Sequence, residues 1–250
     1  MTLSGARLQL VVAHPDDETF GCGSLLLHAA ARGAITSVCC ATRGEAGGDS
    51  DGLGFVRERE LRDAARVLGV SKVDLLEFAD SGMKGEPAAG SLVAAPFDEV
   101  VESVRRAITE FAPDMLLTLD ASDGHRDHIR IRDATVMAAQ QCGVAACYLV
   151  CLPRSLMQRW VDHMRSERPD IAHLDPEIAA IGTPDAQLTT RIDTVEHLAD
   201  RERAIAGHAS QTSPFAGLPD ELRRAFLDTV YLQRVLPPWE HGPVETELSV

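Results

Sequence analysis

The stretch Leu8–Glu18, LQLVVAHPDDE, decides how the rest of the chain is read. Leu8, Leu10, Val11, Val12 and Ala13 form an apolar run that stops at His14-Pro15, and three acidic residues follow at once. A short run rich in branched side chains is the pattern of a strand buried on both faces in a parallel sheet. Pro15 has no amide hydrogen for a ladder and holds His14 in extended backbone, so the strand ends there. Asp16, Asp17 and Glu18 then open a helical pattern carried by Phe20, Leu25, Leu26, Leu27, Ala29 and Ala30, and negative charge suits a helix N-terminus. Capping accounts for one acid at such a position. It does not account for a histidine, two aspartates and a glutamate together at the carboxyl end of a first strand, where open α/β sheets place their sites.

Outward from this stretch, strands and helices alternate. The first helix is expected over 18–32, with strands over 35–41, 73–78, 115–119 and 145–151. Helices are expected over 55–68, closed by Gly69, over 96–111, ended by Pro113, and over 128–141. This alternation predicts an α/β fold, a three-layer αβα sandwich around a mainly parallel, Rossmann-like sheet. Beyond Pro153 the pattern loosens into an α+β extension, with helices over 154–167, 194–206 and 219–228 and strands over 188–192 and 229–235. From Pro237 a loosely ordered tail is expected. The chain reads as one domain, 1–250, with a core over 8–152 and a C-terminal lobe over 153–250.

The bulk composition narrows the function. Lys and Arg number 24 against 38 Asp and Glu, a net charge of −14, which excludes nucleic acid as the main partner. No segment is long or apolar enough to span a membrane. The start, MTLSGARLQL, lacks the basic region and cleavage site of a signal peptide, so the cytoplasm is the expected location. The six cysteines form no CxxC pair and are expected as buried free thiols.

A second polar cluster, Asp123-Gly-His125-Arg-Asp127-His128, follows the fourth strand. Loops at the carboxyl ends of two parallel strands can meet, which would bring His14, Asp17 and His128 to one ion. Two imidazoles, one carboxylate and an open position make the ligand set of a catalytic zinc, and iron(II) is suited by the same set. A carboxylate outside the ligand set would take the proton of the attacking water, and Asp16 is the candidate. His125 would serve as an imidazolium for the oxyanion or leaving nitrogen if Asp127 orients it.

AHPDDE at Ala13–Glu18 and GHRDH at Gly124–His128 resemble the two signature motifs of the LmbE-like/PIG-L zinc-dependent N-deacetylases. TRGEAG at Thr42–Gly47, RERELRDAARVLG at Arg57–Gly69 and AIAGHASQ at Ala204–Gln211 match further family stretches, and Asp80-Ser-Gly-Met83 looks like the mycothiol-pathway branch. The resemblance implies zinc on His14, Asp17 and His128, with Asp16 as general base and His125 as protonated partner paired with Asp127. It also implies that Arg57 and Asp80 hold sugar hydroxyls. The substrate implied is a small N-acylated amino sugar or its conjugate, and a homo-oligomer is expected. Arg126 stands where the family often has Pro, and Asp123 where the mycothiol-pathway deacetylase has Tyr. An added cation at 126 would favour an acidic substrate or else point to solvent. The loops 79–95 and 168–184 would decide between a sugar deacetylase and an amidase of larger conjugates. A member that binds ligand or metal without turnover is the alternative from another class.

Overall fold

The structure, a computed structural model, describes residues 3–167 and 181–249. Five strands run parallel: β1 (Arg7–Val12), β2 (Ile35–Cys40), β3 (Lys72–Leu75), β4 (Met115–Leu119) and β5 (Ala146–Cys151). Two antiparallel strands, β6 (Thr190–Asp193) and β7 (Thr229–Leu236), extend the same sheet, in the order β3-β2-β1-β4-β5-β7-β6. The chain winds outward from β1 through β2 to β3, then returns to lay β4 on the other side of β1. A crevice therefore opens at the carboxyl ends of β1 and β4, the topological switch point of such sheets. His14 follows β1, and Asp123–His128 follows β4.

Strand alternation builds the two faces. Leu8, Leu10, Val12, Val38, Met115 and Leu117 point to one side, against Leu25, Leu26 and Ala29 of α2 (Gly23–Ala31) and Leu61, Ala64 and Leu68 of and beside α3 (Leu53–Val67). Val11, Ala13, Cys39 and Leu116 point to the other, against α4 (Phe97–Phe111) and α5 (Arg126–Cys142). Leu8, Leu10, Leu116 and Leu117 have no solvent exposure, so truncating any one to Ala would cost about 2–5 kcal/mol. A third cluster joins α6 (Arg154–Glu167) to α8 (Asp220–Leu227) through Leu156, Met157, Phe226 and Phe215. The remaining α-helices among the described residues are the single turn α1 (Asp17–Phe20) and α7 (Leu198–Gly207). All six cysteines are free, and only Cys142 is not fully buried.

Two expectations are corrected here. The first helix is broken at Gly21-Cys22 instead of running on to residue 32. The break carries the chain against β4, where a Cβ on Gly21 would stand 3.0 Å from a Leu119 methyl. The tail after Pro237 is also tied down. Glu245 pairs with the free edge of β6, donating to Thr189 O and accepting from Arg191 N. Leu248 is buried, and the Tyr148 hydroxyl donates to Ser249 O at 2.8 Å, which satisfies a buried phenol.

Candidate active site

The turn after β1 is held by its own acid. Asp17 Oδ2 accepts from the amides of His14 (2.8 Å) and Ala13 (3.2 Å), which fixes the carboxylate under the histidine ring. The same oxygen lies 3.7 Å from His14 Nδ1, and Asp17 Oδ1 lies 3.3 Å from His128 Nε2. Asp17 thus bridges two imidazoles whose centroids are 5.3 Å apart. Asp16, between them in sequence, adopts φ 118°, a region that a non-glycine residue rarely takes and that marks functional turns. Its side chain meets the guanidinium of Arg57 at 3.0 Å.

Arg57 reaches across from α3 and is almost wholly buried. Besides Asp16, it donates to Pro15 O and Gly44 O, both at 2.6 Å. A Cβ on Gly44 or Gly47 would overlap this guanidinium, so the glycines of TRGEAG are the gap through which Arg57 passes. Glu18 is fully buried and accepts from Thr19 Oγ1, and His208 Nε2 lies 2.7 Å from its carboxylate.

The turn after β4 holds itself. Asp123 Oδ1 accepts from the His125 amide (3.0 Å), while His125 Nδ1 accepts from the Asp127 amide (3.1 Å) and caps α5. Asp123 Oδ2 lies 2.6 Å from His128 Nδ1. A hydrogen on Nδ1 leaves Nε2 of His128 bare and directed toward Asp17. By the same reasoning the hydrogen of a neutral His125 sits on its Nε2. Arg126 turns neither to solvent nor into the crevice: it donates to the carbonyls of Gly82, Lys84 and Gly85 and fastens that loop.

The electrostatics follow from this crowding. Burial and the Asp17 charge push Asp16 up to about 7, against the pull of Arg57. Burial opposes ionisation of Asp17, but the His128 and His14 rings outweigh it and hold the carboxyl well below the usual range. Burial likewise opposes charge on His14 and His128. The Asp127, Asp17 and Asp80 carboxylates nevertheless raise His14 well above its ordinary value, and Asp17 and Asp123 raise His128 to about 10. His125 is pushed down, by burial and by its two histidine neighbours.

The structure therefore brings His14, Asp16, Asp17, His125 and His128 to one polar pocket of about 230 Å³, with Arg57 and Asp80 in its wall. Ring nitrogens of His14, His125 and His128 lie within 4.8 Å of one another. His128 Nε2 is buried with no hydrogen-bond partner. A buried imidazole nitrogen with no hydrogen-bond partner, beside a second imidazole and a carboxylate, fits a divalent metal ion that would take the place of the ring proton.

One expected contact differs. The Asp127 carboxylate does not pair with His125. It accepts from the Ser81 amide (2.9 Å) and lies 3.2 Å from His14 Nε2, because the N-cap geometry turns the His125 ring back onto the Asp127 backbone. Burial and the neighbouring His14 and His128 disfavour a protonated His125, against the pull of Asp127 and Asp123. Arg57 and Asp80, expected to hold sugar hydroxyls, line the pocket and have protein partners as well: Arg57 braces Asp16, while Asp80 accepts from Gly82 N and Ala46 N and lies 3.5 Å from His14. Sequence reasoning missed Asp123 as the residue that orients His128, for which the five-residue spacing was the available signal. It also missed Arg201, which is buried and donates to Ser24 Oγ and Phe20 O. Of the loops expected to shape specificity, residues 168–180 lie outside the described residues, as does His173.

The profile of the family described as PIG-L, GlcNAc-PI de-N-acetylase, matches residues 9–139. The 1D-myo-inositol 2-acetamido-2-deoxy-alpha-D-glucopyranoside deacetylase of Thermobifida fusca is 33% identical over 84% of this chain and 85% of its own. The protein of the same name from Rhodococcus erythropolis is 32% identical, over 85% and 83%. Among solved structures, the N,N'-diacetylchitobiose deacetylase of Pyrococcus horikoshii aligns with a TM-score of 0.59 at 18% identity, covering 91% of this chain and 83% of its own. A 4-carboxy-2-hydroxymuconate hydratase from Pseudomonas putida aligns at 0.63 and 16%, covering 95% and 99%. Two different reactions share this architecture, so the fold alone does not select one.

Proposed function

The chain belongs to the PIG-L family, and from that membership we propose that it hydrolyses the N-acyl group of an amino sugar or amino-sugar conjugate. The observation that carries the reading is Asp16, partly buried and braced by Arg57, next to the His14–Asp17–His128 set without being needed in it. His14, Asp17 and His128 would hold the metal, zinc in the first instance and iron(II) as the alternative. When bound there, such an ion lowers the pKa of water and polarises a carbonyl.

The chain's own residues supply the rest. Asp16 accepts the proton of the attacking water, and its raised pKa makes it a stronger base than an ordinary carboxylate. Arg57 fixes the carboxylate so that it cannot swing away. His125 presents its Nε2 hydrogen to the pocket as a donor for the developing oxyanion. Asp127 and Asp80 steady the outer edge of His14, and Asp123 does the same for His128. The proton held by Asp16 then passes to the leaving nitrogen.

The test joins metal content to release of primary amine. Wild type and Asp16→Asn are loaded with zinc or iron(II), and N-acetylglucosamine, its inositol conjugate and mycothiol-like amides are offered. Wild type is expected to hold about one ion and release amine. Asp16→Asn should keep the ion and lose about 10²–10⁴-fold in kcat. Absence of metal from both proteins under metal-replete conditions would overturn the ligand assignment.

A further inference from the structure

A second cavity, of about 290 Å³, opens on the other side of Asp17 and His128. Among the described residues, these two side chains line both cavities and no other does. The contrast in lining is sharp. The first cavity carries His14, Asp16, Arg57 and Asp80. The second is walled by Phe20, Leu119, Met157, Trp160, Phe215 and Phe226, with no lysine or arginine. Its few acids are spent on the protein itself. Asp120 accepts from Ser122 N at 3.0 Å and from Thr183 Oγ1, and Asp123 is taken up by His125 N and His128. Nothing in this chamber asks for a polar ligand.

An amide at the shared wall has two halves. The sugar, bearing hydroxyls, suits the polar pocket, which leaves the acyl half facing the apolar chamber. An acetyl group ends in one methyl, about the size of a water, whose share of liquid volume is about 30 Å³. It would leave most of the chamber unfilled, and unfilled apolar space forfeits contact energy. We propose that the chamber is an acyl subsite and that the preferred substrate is an amino sugar N-acylated with an unbranched apolar chain of about six to ten carbons. The inference rests on the deacylase reading and names the acyl class for it. The reaction adds the hydroxyl of water to the carbonyl carbon, breaks the C–N bond, and sends the proton to the sugar nitrogen, giving free amine and a fatty acid.

The experiment is a chain-length series on the metal-replete enzyme: N-acetyl-, N-butanoyl-, N-hexanoyl- and N-octanoylglucosamine, each below its micellar concentration. Amine release should rise in kcat/KM by about fourfold per added methylene until the chamber is full. Two variants read the subsite directly. Ser122→Trp places an indole in the chamber, and Leu152→Trp narrows it from a half-exposed position. In either, the octanoyl-to-acetyl ratio should fall toward one. A wild-type series that is flat, or that is best with acetyl, overturns the acyl subsite and leaves the deacylase reading standing. Release of amine from no member of the series takes down both.

Discussion

The two turns that meet at the crevice are built on opposite plans. The turn after β4 is held largely from within: the His125 amide donates to Asp123, the Asp127 amide donates to His125, and Asp123 orients His128, while the Asp127 carboxylate takes the Ser81 amide. The turn after β1 ties the amides of Ala13 and His14 to its own Asp17, but the acids on either side of Asp17 are held from outside. Arg57, forty-one residues away, clamps Asp16, and His208, a hundred and ninety residues away, meets the buried Glu18. The outside supports are costly to assemble, and they meet the acid whose backbone sits at φ 118°, a conformation that itself costs energy. A self-built turn keeps its shape when distant residues change. An externally braced one fails when its braces fail.

The largest effect expected from this contrast comes from His208→Phe. It keeps a ring of similar size but leaves the Glu18 carboxylate buried beside Thr19 without its principal partner. Breaking a buried pair from one side costs about 3–5 kcal/mol. For a chain of this length that is a fall in Tm on the order of 10 °C, readable by calorimetry. An unchanged Tm would break the comparison, since the first turn would then need no support from the C-terminal half.

Next is Arg57→Lys, which retains the charge but cannot bridge Pro15 O, Gly44 O and Asp16 at once. Metal content should stay at the wild-type level while kcat falls about 10–100-fold, the usual range for loss of an orienting partner. A fall in KM-linked binding alone, with kcat intact, would return Arg57 to the substrate-binding role implied by the family resemblance.

On the self-supporting side, Asp123→Asn sharpens the comparison. Its effect should be confined to His128, because Asn still accepts from the His125 amide. Metal affinity, measured by competition with a chelator, is expected to weaken about tenfold, with thermal stability of the metal-free protein unchanged. A large stability loss would mean that this turn too depends on a single brace.

What the sequence could and could not disclose follows the same division. The apolar runs of β1, β2, β4 and β5 were legible because strands covered on both faces carry no polar alternation to confuse them. His14, Asp17, His125 and His128 were legible as a group because each sits within a few residues of a strand end. The break at Gly21 was not, since it depends on Leu119 approaching from β4. Neither was the displacement of Asp127 from His125 to His14, which is decided by an N-cap and by the Ser81 amide. Phe20, Trp160, Phe215 and Phe226 carry no sequence pattern that groups them, because only the docking of α6 and α8 against α1 brings them around one space. Contacts across many residues leave no periodic trace in the chain.

The smallest effect is a pH dependence, and it reports on the brace by sign. Burial works against a charged His208, but the Glu18 carboxylate outweighs it, and the pKa is raised above its ordinary value of 6.5. The folded state then binds the proton more tightly than the unfolded chain. The resulting stabilisation is complete below the unfolded pKa and is lost as pH rises through the folded one. Wild type should therefore lose more stability than His208→Gln as pH rises from about 6.5 through the raised folded pKa, since glutamine carries no such proton. The gap in Tm between the two should be widest on the acid side and should narrow as the medium becomes alkaline. A gap that is constant with pH would assign the pairing to a neutral hydrogen bond, and one that widens toward alkali would reverse the direction given to the His208 shift.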